Sequence, residues 1–205
     1  MHFIGDVHGK WLEYFGLIKL YPESIQVGDF GFGFRPSPKP WDLNHKFIRG
    51  NHDEPTACRA HPNYLGEYGV YKGMFFVGGA FSIDYAWRQE HNLFNPNQQV
   101  WWADEEIVQS EFEKILGLYE ETKPRIVVSH DAPDIVKKHM TGGNIEYKKM
   151  YLNRTSNGLM PAMLKIHQPE VWVFGHYHCS AKVRIDQTLF IVLDELEVVE
   201  VICIT

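Results

Sequence analysis

Acidic, amide and imidazole side chains recur in this chain directly after short apolar runs. In the first group, Gly5-Asp6-Val7-His8-Gly9, Asp6 and His8 lie two residues apart and share one face of an extended segment. The later members of the same kind are Asp29, Asn51, His130, His176 and His178. Imidazole suits zinc, iron and nickel, whereas carboxylate and carbonyl oxygens suit manganese and magnesium. The mixed set predicts a site for two divalent cations, with manganese expected and iron or zinc as alternatives.

The most concentrated group is Arg49-Gly50-Asn51-His52-Asp53. It combines a cation, a glycine, a neutral oxygen donor, an imidazole and a carboxylate in one short stretch. Alone, it is also what an ordinary turn contains, because Asn and Asp are common turn residues. It becomes informative if other strand ends bring matching chemistry to the same place.

Five apolar segments precede these groups and are predicted to be strands. They are 2–5, 24–27, 45–48, 125–128 and 171–174. Parallel strands place their carboxyl ends at one edge of a sheet, which is where ligands bind in open α/β sheets. Most of the motifs also carry a glycine beside the polar residue, where the backbone can approach a ligand closely. The strands therefore predict that the polar side chains come together.

The rest of the chain alternates helices with further strands. Amphipathic periodicity predicts helices over 10–21, 53–60, 104–121 and 157–168. Apolar runs and turn residues predict strands over 70–80, as a hairpin with its turn at Lys72-Gly73, and over 181–204. The segments expected to lack helical structure are 31–42, 81–84 and 91–104.

Composition indicates a globular α/β chain. Its 205 residues are 44% hydrophobic and show no repeat or linker, which predicts one domain over 1–205. A formal net charge of -6 does not favour nucleic-acid binding. Cys58, Cys179 and Cys203 are too few and too widely spaced for a disulfide framework, which indicates a reducing compartment. With no signal-peptide pattern and no membrane-length apolar run, we expect a cytoplasmic protein that does not contact membranes.

The order and spacing of the polar motifs resemble the calcineurin-like metallophosphoesterase family. The matching pieces are Gly5-Asp6-Val7-His8-Gly9, Gly28-Asp29, Gly50-Asn51-His52-Asp53, His130 and Gly175-His176-Tyr177-His178. The resemblance implies a four-layer α/β/β/α sandwich, in which two mixed β-sheets are flanked by helices. It also implies that Asp29 bridges two cations. The first would be held with Asp6, His8 and His178, and the second with Asn51, His130 and His176.

The activity implied by the resemblance is hydrolysis of a phosphate mono- or diester by in-line attack of a hydroxide that bridges the two cations. Two cations lower the pKa of a shared water and offset the charge that develops on the phosphoryl oxygens. His52 directly follows a ligand and is the expected general acid. Arg49 is expected either to pair with a phosphate oxygen or to form a surface salt bridge.

Two positions depart from the protein phosphatases of this family. Phe32 stands where those enzymes carry an acid that orients the catalytic histidine, and Gly33 stands where they carry a phosphate-binding arginine. Asp53 is assigned to the catalytic group because it is a carboxylate next to His52. Neighbouring side chains in an extended chain point apart, however, so the partner of His52 stays open.

Other residues are candidates for the surroundings of His52. Asp84 and Asp131 are the alternative acids for orienting it. Arg88 lies one helical turn after Asp84, and this pair, with Trp101-Trp102, is a candidate for the wall of the substrate site. Core packing is the alternative for the two tryptophans.

Three functions are consistent with these features. The first is a phosphatase or phosphodiesterase acting on a phosphorylated small molecule, a nucleotide or a phosphopeptide. The second is a nuclease or cyclic-nucleotide phosphodiesterase, because Gly33 lacks the arginine that favours monoesters. The third is a non-catalytic metal-binding scaffold, although such proteins usually lose a ligand or the equivalent of His52. Nothing in the sequence indicates the oligomeric state.

Overall fold

The computed structural model describes residues 1–36, 44–140 and 155–202. In chain order, the helices and strands of these residues are β1 (His2–Ile4), α1 (Trp11–Leu20), β2 (Ser24–Gln26), β3 (Lys46–Phe47), α2 (Pro55–Ala60), β4 (Tyr68–Tyr71), β5 (Met74–Val77), α3 (Tyr85–Phe94), α4 (Phe112–Thr122), β6 (Ile126–Ser129), α5 (Asp134–Met140), α6 (Thr155–Ile166), β7 (Val171–Phe174), β8 (Ala181–Ile185), β9 (Thr188–Val192) and β10 (Val198–Glu200).

The strands form two mixed sheets. The smaller sheet has the order β10-β1-β2-β3, in which β1, β2 and β3 are parallel and β10 is antiparallel to β1. The larger sheet has the order β4-β5-β6-β7-β9-β8, with β5, β6, β7 and β9 parallel and an antiparallel strand at each edge. The expectation of an α/β fold with two mixed sheets is confirmed.

Alternating side chains on the strands separate three apolar layers. On β5, Met74 and Phe76 belong to the core between the two sheets, whereas Phe75 and Val77 face the helices α4 and α6. The outer face of the smaller sheet packs on α1 and α2 through a third cluster that includes Tyr14. Burying a large apolar side chain contributes about 1.5–3 kcal/mol relative to exposure, so these layers hold the helices against the sheets. The result is the expected four-layer sandwich.

Two predictions of secondary structure are wrong. The helix predicted over 104–121 begins only at Phe112, after a 3₁₀ turn over Gln109–Glu111. Val108 is extended and half exposed, so it does not continue the apolar stripe. Sequence patterning also missed α3, because the apolar residues Trp87 and Phe94 of this helix point to solvent and disguise its period.

The other predicted elements are present with small shifts. The hairpin of β4 and β5 turns at Lys72-Gly73, where both residues have positive φ. The helix predicted over 157–168 runs over Thr155–Ile166, and the tail forms β8, β9 and β10. Parts of two predictions, 37–42 of the loop and 203–204 of the tail, lie outside the described residues. Across the described ranges, we find no helix whose length and apolar character would allow it to cross a membrane.

Candidate metal centre

The polar residues that follow the strands of both sheets meet at one place. Six of the seven predicted ligands form two groups whose donor atoms lie within 4.8 Å of one another. These groups are Asp6, His8, Asp29 and His178, and Asp29, His130 and His176. The segments after β1 and β2 supply residues from the smaller sheet, and those after β6 and β7 supply residues from the larger one. Asp29 belongs to both groups.

The carboxylate of Asp29 is divided between the two groups. Its Oδ2 lies 3.8 Å from Nε2 of His8, and its Oδ1 lies 3.1 Å from Nε2 of His130. The backbone N–H of His52 donates to the same Oδ1 at 2.8 Å, which fixes the orientation of the carboxylate. The two oxygens of Asp29 therefore face different histidines.

At and beside the second group, two buried donor atoms have no hydrogen-bond partner, Oδ1 of Asn51 and Nδ1 of His176. Nε2 of His130 faces Oδ1 of Asp29, at 3.1 Å. Two of these side chains are held from the other end: Nδ2 of Asn51 donates to Oγ of Ser82 at 3.1 Å, and Nδ1 of His130 bonds to the carbonyl of Val27 at 2.9 Å. Leaving a buried polar atom unpaired costs about 1–3 kcal/mol, and coordination to a cation would remove that cost. The donor set therefore fits a divalent cation.

The first group is more open to solvent. Nε2 of His8 and Nε2 of His178 lie 2.9 Å apart, and His178 reaches Oδ2 of the buried Asp6 at 3.4 Å. Oε1 of Glu195 lies 3.8 Å from a ring nitrogen of each histidine, and its other oxygen pairs with Lys10. Glu195 was not singled out from the sequence, because nothing local indicates that this part of the tail folds back onto the site.

The pKa values of the buried groups indicate that positive charge is needed to balance the buried carboxylates. Burial raises the pKa of Asp6. Burial alone would lower the pKa of His130, but the nearby carboxylates of Asp29 and Asp6 raise it to about 10. Burial lowers the pKa of His176 to about 4, so this imidazole is neutral and ready to act as a ligand. A proton on His130 compensates the two carboxylates without metal, and a cation can replace that proton.

Backbone strain is concentrated in the ligands. His8, Asp29, His176 and His178 all have positive φ, at 48°, 56°, 71° and 46°. A non-glycine residue in this region costs on the order of 1 kcal/mol or more, and such strain clusters at functional sites. The fold therefore maintains an unfavourable backbone in order to aim these side chains at one another.

The glycines in the motifs have a steric role. A Cβ on Gly50 would lie 2.5 Å from Nε2 of His130 and 2.6 Å from the backbone nitrogen of Asp29, and a Cβ on Gly175 would clash with Oδ1 of Asp6. Both distances are far below ordinary van der Waals contact. Glycine is therefore what allows these loops to pack directly against the ligands.

His52 has an arginine beside it instead of an acid. Nη2 of Arg88 lies 2.5 Å from Nε2 of His52, and the ring of Phe34 stacks on the imidazole with 5.6 Å between centroids. Arg88 is 4% exposed and is held by Oδ1 of Asp84 at 2.7 Å and by the carbonyl of Val100. Burial and the neighbouring Arg88 lower the pKa of His52 to about 4, although Asp29 opposes this shift. The imidazole is therefore a neutral acceptor.

Of the two candidate acids, Asp84 reaches His52 only through Arg88. Asp131 accepts a hydrogen bond from the hydroxyl of Tyr177 at 2.6 Å and from Nζ of Lys137 at 2.8 Å. Trp102 contacts Phe34 edge to face, with 5.5 Å between centroids. Phe34 was not singled out from the sequence, because the loop in which it lies has no periodic pattern.

Asp53 bonds to the backbone. Its two oxygens accept four backbone N–H groups, those of Phe30, Gly31, Phe32 and Gly50, at 2.7–3.2 Å. The carboxylate is fully buried. Asp53 therefore ties the segment after β2 to the segment after β3, which argues against the direct catalytic role expected from the sequence.

Arg49 is buried as well, with 1% of its surface exposed. Its Nε donates to Glu67 at 2.7 Å and its Nη1 donates to the carbonyl of Glu105 at 2.6 Å. The expected surface salt bridge is therefore a buried one, because β3 ends in the interior. The buried position is also at odds with the expected contact between Arg49 and a substrate phosphate.

Two mixed sheets flanked by helices bring carboxylates and imidazoles together where strands of both sheets end. A family model described as calcineurin-like phosphoesterase matches residues 2–180, and the chain belongs to this family. Among solved structures, the chain is similar to a conserved uncharacterized protein (predicted phosphoesterase) from Streptococcus pneumoniae TIGR4, at 12% identity and a TM-score of 0.38, over 95% of this chain and 72% of that chain. No curated protein matches the chain.

Proposed function

We propose that the protein is a binuclear metal-dependent hydrolase of phosphate mono- or diesters. The observation that carries this proposal is the buried carboxylate of Asp29, which is shared by two groups of donor atoms, with unpartnered buried atoms of His176 in one group and of the nearby Asn51. Two bound cations would supply hydroxide at neutral pH and offset charge on the phosphoryl oxygens. The rest of the proposal concerns how the side chains of this protein hold the cations and orient the substrate.

The proposed ligands combine oxygen and imidazole donors. Asp6, His8, Asp29 and His178 would hold one cation, and Asp29, Asn51, His130 and His176 the other. Such mixed sets suit manganese, which we expect, or iron and zinc. All donors lie on segments that directly follow strands, so the site is rigid on the side of the sheets.

Arg88 and His52 are the proposed contacts to the substrate. Asp84 and Val100 hold two nitrogens of the guanidinium, while Nη2 is directed at His52 and can move to a phosphate oxygen. A phosphate dianion beside His52 would raise the pKa of this imidazole and favour the proton that it must donate to the leaving oxygen. Phe34 and Trp102 would form the wall beside the leaving group.

Asp53 and Arg49 have a structural role in the proposal. Asp53 would keep the segments that carry Asp29 and Asn51 in register through its four backbone hydrogen bonds. Arg49 would anchor the end of β3 through Glu67 and the carbonyl of Glu105. Both residues would act on the position of ligands and make no contact with the substrate.

The proposal assigns the chain to one domain and to the cytoplasm. A core shared by both sheets supports one domain, and the free thiols of Cys58 and Cys179 support a reducing compartment. The substrate would be a phosphorylated small molecule, a nucleotide or a phosphopeptide. The alternative of a nuclease or cyclic-nucleotide phosphodiesterase keeps the same ligands, and relative turnover of an aryl monoester and its diester separates the two.

The test is manganese-dependent hydrolysis of a chromogenic aryl phosphate by the full chain. Asn51→Ala and His176→Ala should each lower kcat/KM by at least about 100-fold, because each removes a proposed ligand. His139→Ala, which changes an exposed histidine of α5, is the matched control and should leave the rate unchanged. Full activity of either ligand variant would exclude the proposed site, and a chain that binds Mn²⁺ without hydrolysing the ester would favour the metal-binding scaffold.

A further inference from the structure

Glu105 is a buried carboxylate that does not belong to the proposed ligands. It lies between α3 and α4 and is 3% exposed. Both of its oxygens accept hydrogen bonds from Ser82: Oε1 from the backbone N–H at 2.9 Å and Oε2 from the hydroxyl at 2.7 Å. The hydroxyl oxygen of Ser82 in turn contacts Nδ2 of the proposed ligand Asn51 at 3.1 Å.

The direction of these hydrogen bonds follows from the carboxylate. At a pH well above 7, where Glu105 is ionised, its carboxylate only accepts, so the single hydroxyl proton of Ser82 must point at Glu105. The oxygen of Ser82 then has only lone pairs to offer to Asn51, which can meet them only with its NH₂ group. With Nδ2 held in this way, Oδ1 of Asn51 is the end of the amide left without a partner, and it is buried. The preceding residue, Gly50, packs directly against Asp29 and His130.

We propose that Glu105 is a positioning residue that acts through Ser82 and sets which end of the Asn51 amide faces the second cation. The inference rests on the proposed function, since it gives the amide oxygen the role of a ligand. Glu105 also accepts a hydrogen bond from Arg49 at the end of β3, but through its backbone carbonyl. A side-chain substitution at position 105 therefore leaves that anchor in place.

Glu105→Gln tests the proposal because it exchanges the donor and acceptor roles along this series of hydrogen bonds, while the side chain keeps nearly the same size. The backbone N–H of Ser82 still needs an acceptor, so the amide oxygen of the new residue takes that position. Its NH₂ group then donates to the hydroxyl oxygen of Ser82, which turns its own proton towards Asn51. Asn51 can accept that proton only with Oδ1, so its NH₂ group would face the cation. An amide NH₂ group is not a metal ligand.

The measurement is calorimetric titration of metal-free full chain with Mn²⁺ at a pH of about 8, above the pKa of Glu105, where we expect two sites in the wild type. We expect Glu105→Gln to weaken one site about 10- to 100-fold. Ser82→Ala removes the hydroxyl that orients the Asn51 amide, so the amide can take both orientations. With about half of the molecules presenting Oδ1 to the cation, the affinity of that site should fall only about twofold. The double variant, Ser82→Ala with Glu105→Gln, should bind Mn²⁺ with the affinity of Ser82→Ala, because no Ser82 hydroxyl remains to turn the NH₂ group of Asn51 towards the cation. Glu120→Gln, on the exposed face of α4, is the control.

The order of affinities decides the inference. Wild-type Mn²⁺ affinity in Glu105→Gln would overturn the inference. A double variant that binds Mn²⁺ no more tightly than Glu105→Gln would also overturn it, because a second substitution does not repair a simple loss of structure. If circular dichroism shows that Glu105→Gln is unfolded, Ser82→Ala decides alone, and unchanged affinity at both sites overturns the inference. A wild-type chain that takes up no Mn²⁺ would instead refute the proposed function itself.

Discussion

Gly50→Ala should disable the proposed second cation site through a single added methyl group. The φ of Gly50 lies outside the left-handed region, so alanine is compatible with the backbone and the effect comes from contact alone. The new Cβ would stand 2.5 Å from Nε2 of His130 and closer still to Oδ1 of Asp29. Because ordinary contacts begin near 3.4 Å, both donor atoms must move by roughly 1 Å.

The size of that displacement sets the expected loss. Coordination distances tolerate only about 0.2 Å, so a shift of about 1 Å removes a donor atom from the cation. We expect kcat/KM for an aryl phosphate to fall by about 100-fold or more. Overpacking of this kind also costs about 1–3 kcal/mol of unfolding free energy.

The assay compares Gly50→Ala with Gly117→Ala in the same preparation. Gly117 lies inside α4, and a Cβ there meets no other atom within 4 Å. Alanine should therefore stabilise this control by about 0.5–1 kcal/mol and leave its activity unchanged. The reasoning is refuted if Gly50→Ala binds two Mn²⁺ ions with wild-type affinity, since the methyl group would then have found room between the ligands.

Three further results are expected. Asp53→Asn keeps one acceptor oxygen and leaves two of four backbone N–H groups unpaired, so urea unfolding should show a loss of about 2–5 kcal/mol; wild-type stability would contradict this. Burial raises the pKa of Glu105 from 4.5 to about 7, so the folded state binds more protons between these values. The unfolding free energy of metal-free protein should therefore fall, relative to Glu105→Gln, by up to about 3 kcal/mol as pH rises from about 4.5 to 7, and equal pH profiles would argue against it. Saturation with Mn²⁺ at about 100 times Kd should add about 2.7 kcal/mol per site, measured as a rise in Tm that a chelator reverses and that Asn51→Ala reduces.

The clustering of the proposed ligands was predictable because each position depends on a local rule. An apolar strand that runs into an acid, an amide or a histidine can be recognised without knowing what surrounds it, as at Asp6 after β1 or His130 after β6. The glycines beside these residues were predictable in the same way, because they belong to the same short motifs. Two sheets and most helices were predictable for the same reason, since periodicity within a segment decides which face it buries.

The errors concern residues whose role depends on distant partners. Asp104, Glu105 and Glu106 resemble the acidic first turn of a helix, yet Glu105 is directed inward by Ser82, a residue far away in the sequence. Arg49 looked exposed, but the end of β3 is interior and its charge is met by Glu67. No pattern in a single stretch records these long-range pairings.

Arg88 was only half predictable. Its spacing from Asp84 indicates a helical pair, and the two residues do form an ion pair at 2.7 Å on α3. The contact with His52 depends on how α3 packs over the end of β3. The absence of the orienting acid at Phe32 was visible in the sequence, whereas the arginine found beside His52 was not.

The division of ligands between the sheets has a mechanical consequence. The proposed second cation would join Asp29 and Asn51, which follow strands of the smaller sheet, to His130 and His176, which follow strands of the larger one. Bound metal would thus act as a cross-link across the sandwich and close loops of about 80 to 150 residues, as a long-range disulfide does. Opening the sandwich would then require release of metal, so amide hydrogens of both sheets should exchange together in the loaded protein and separately in the metal-free one.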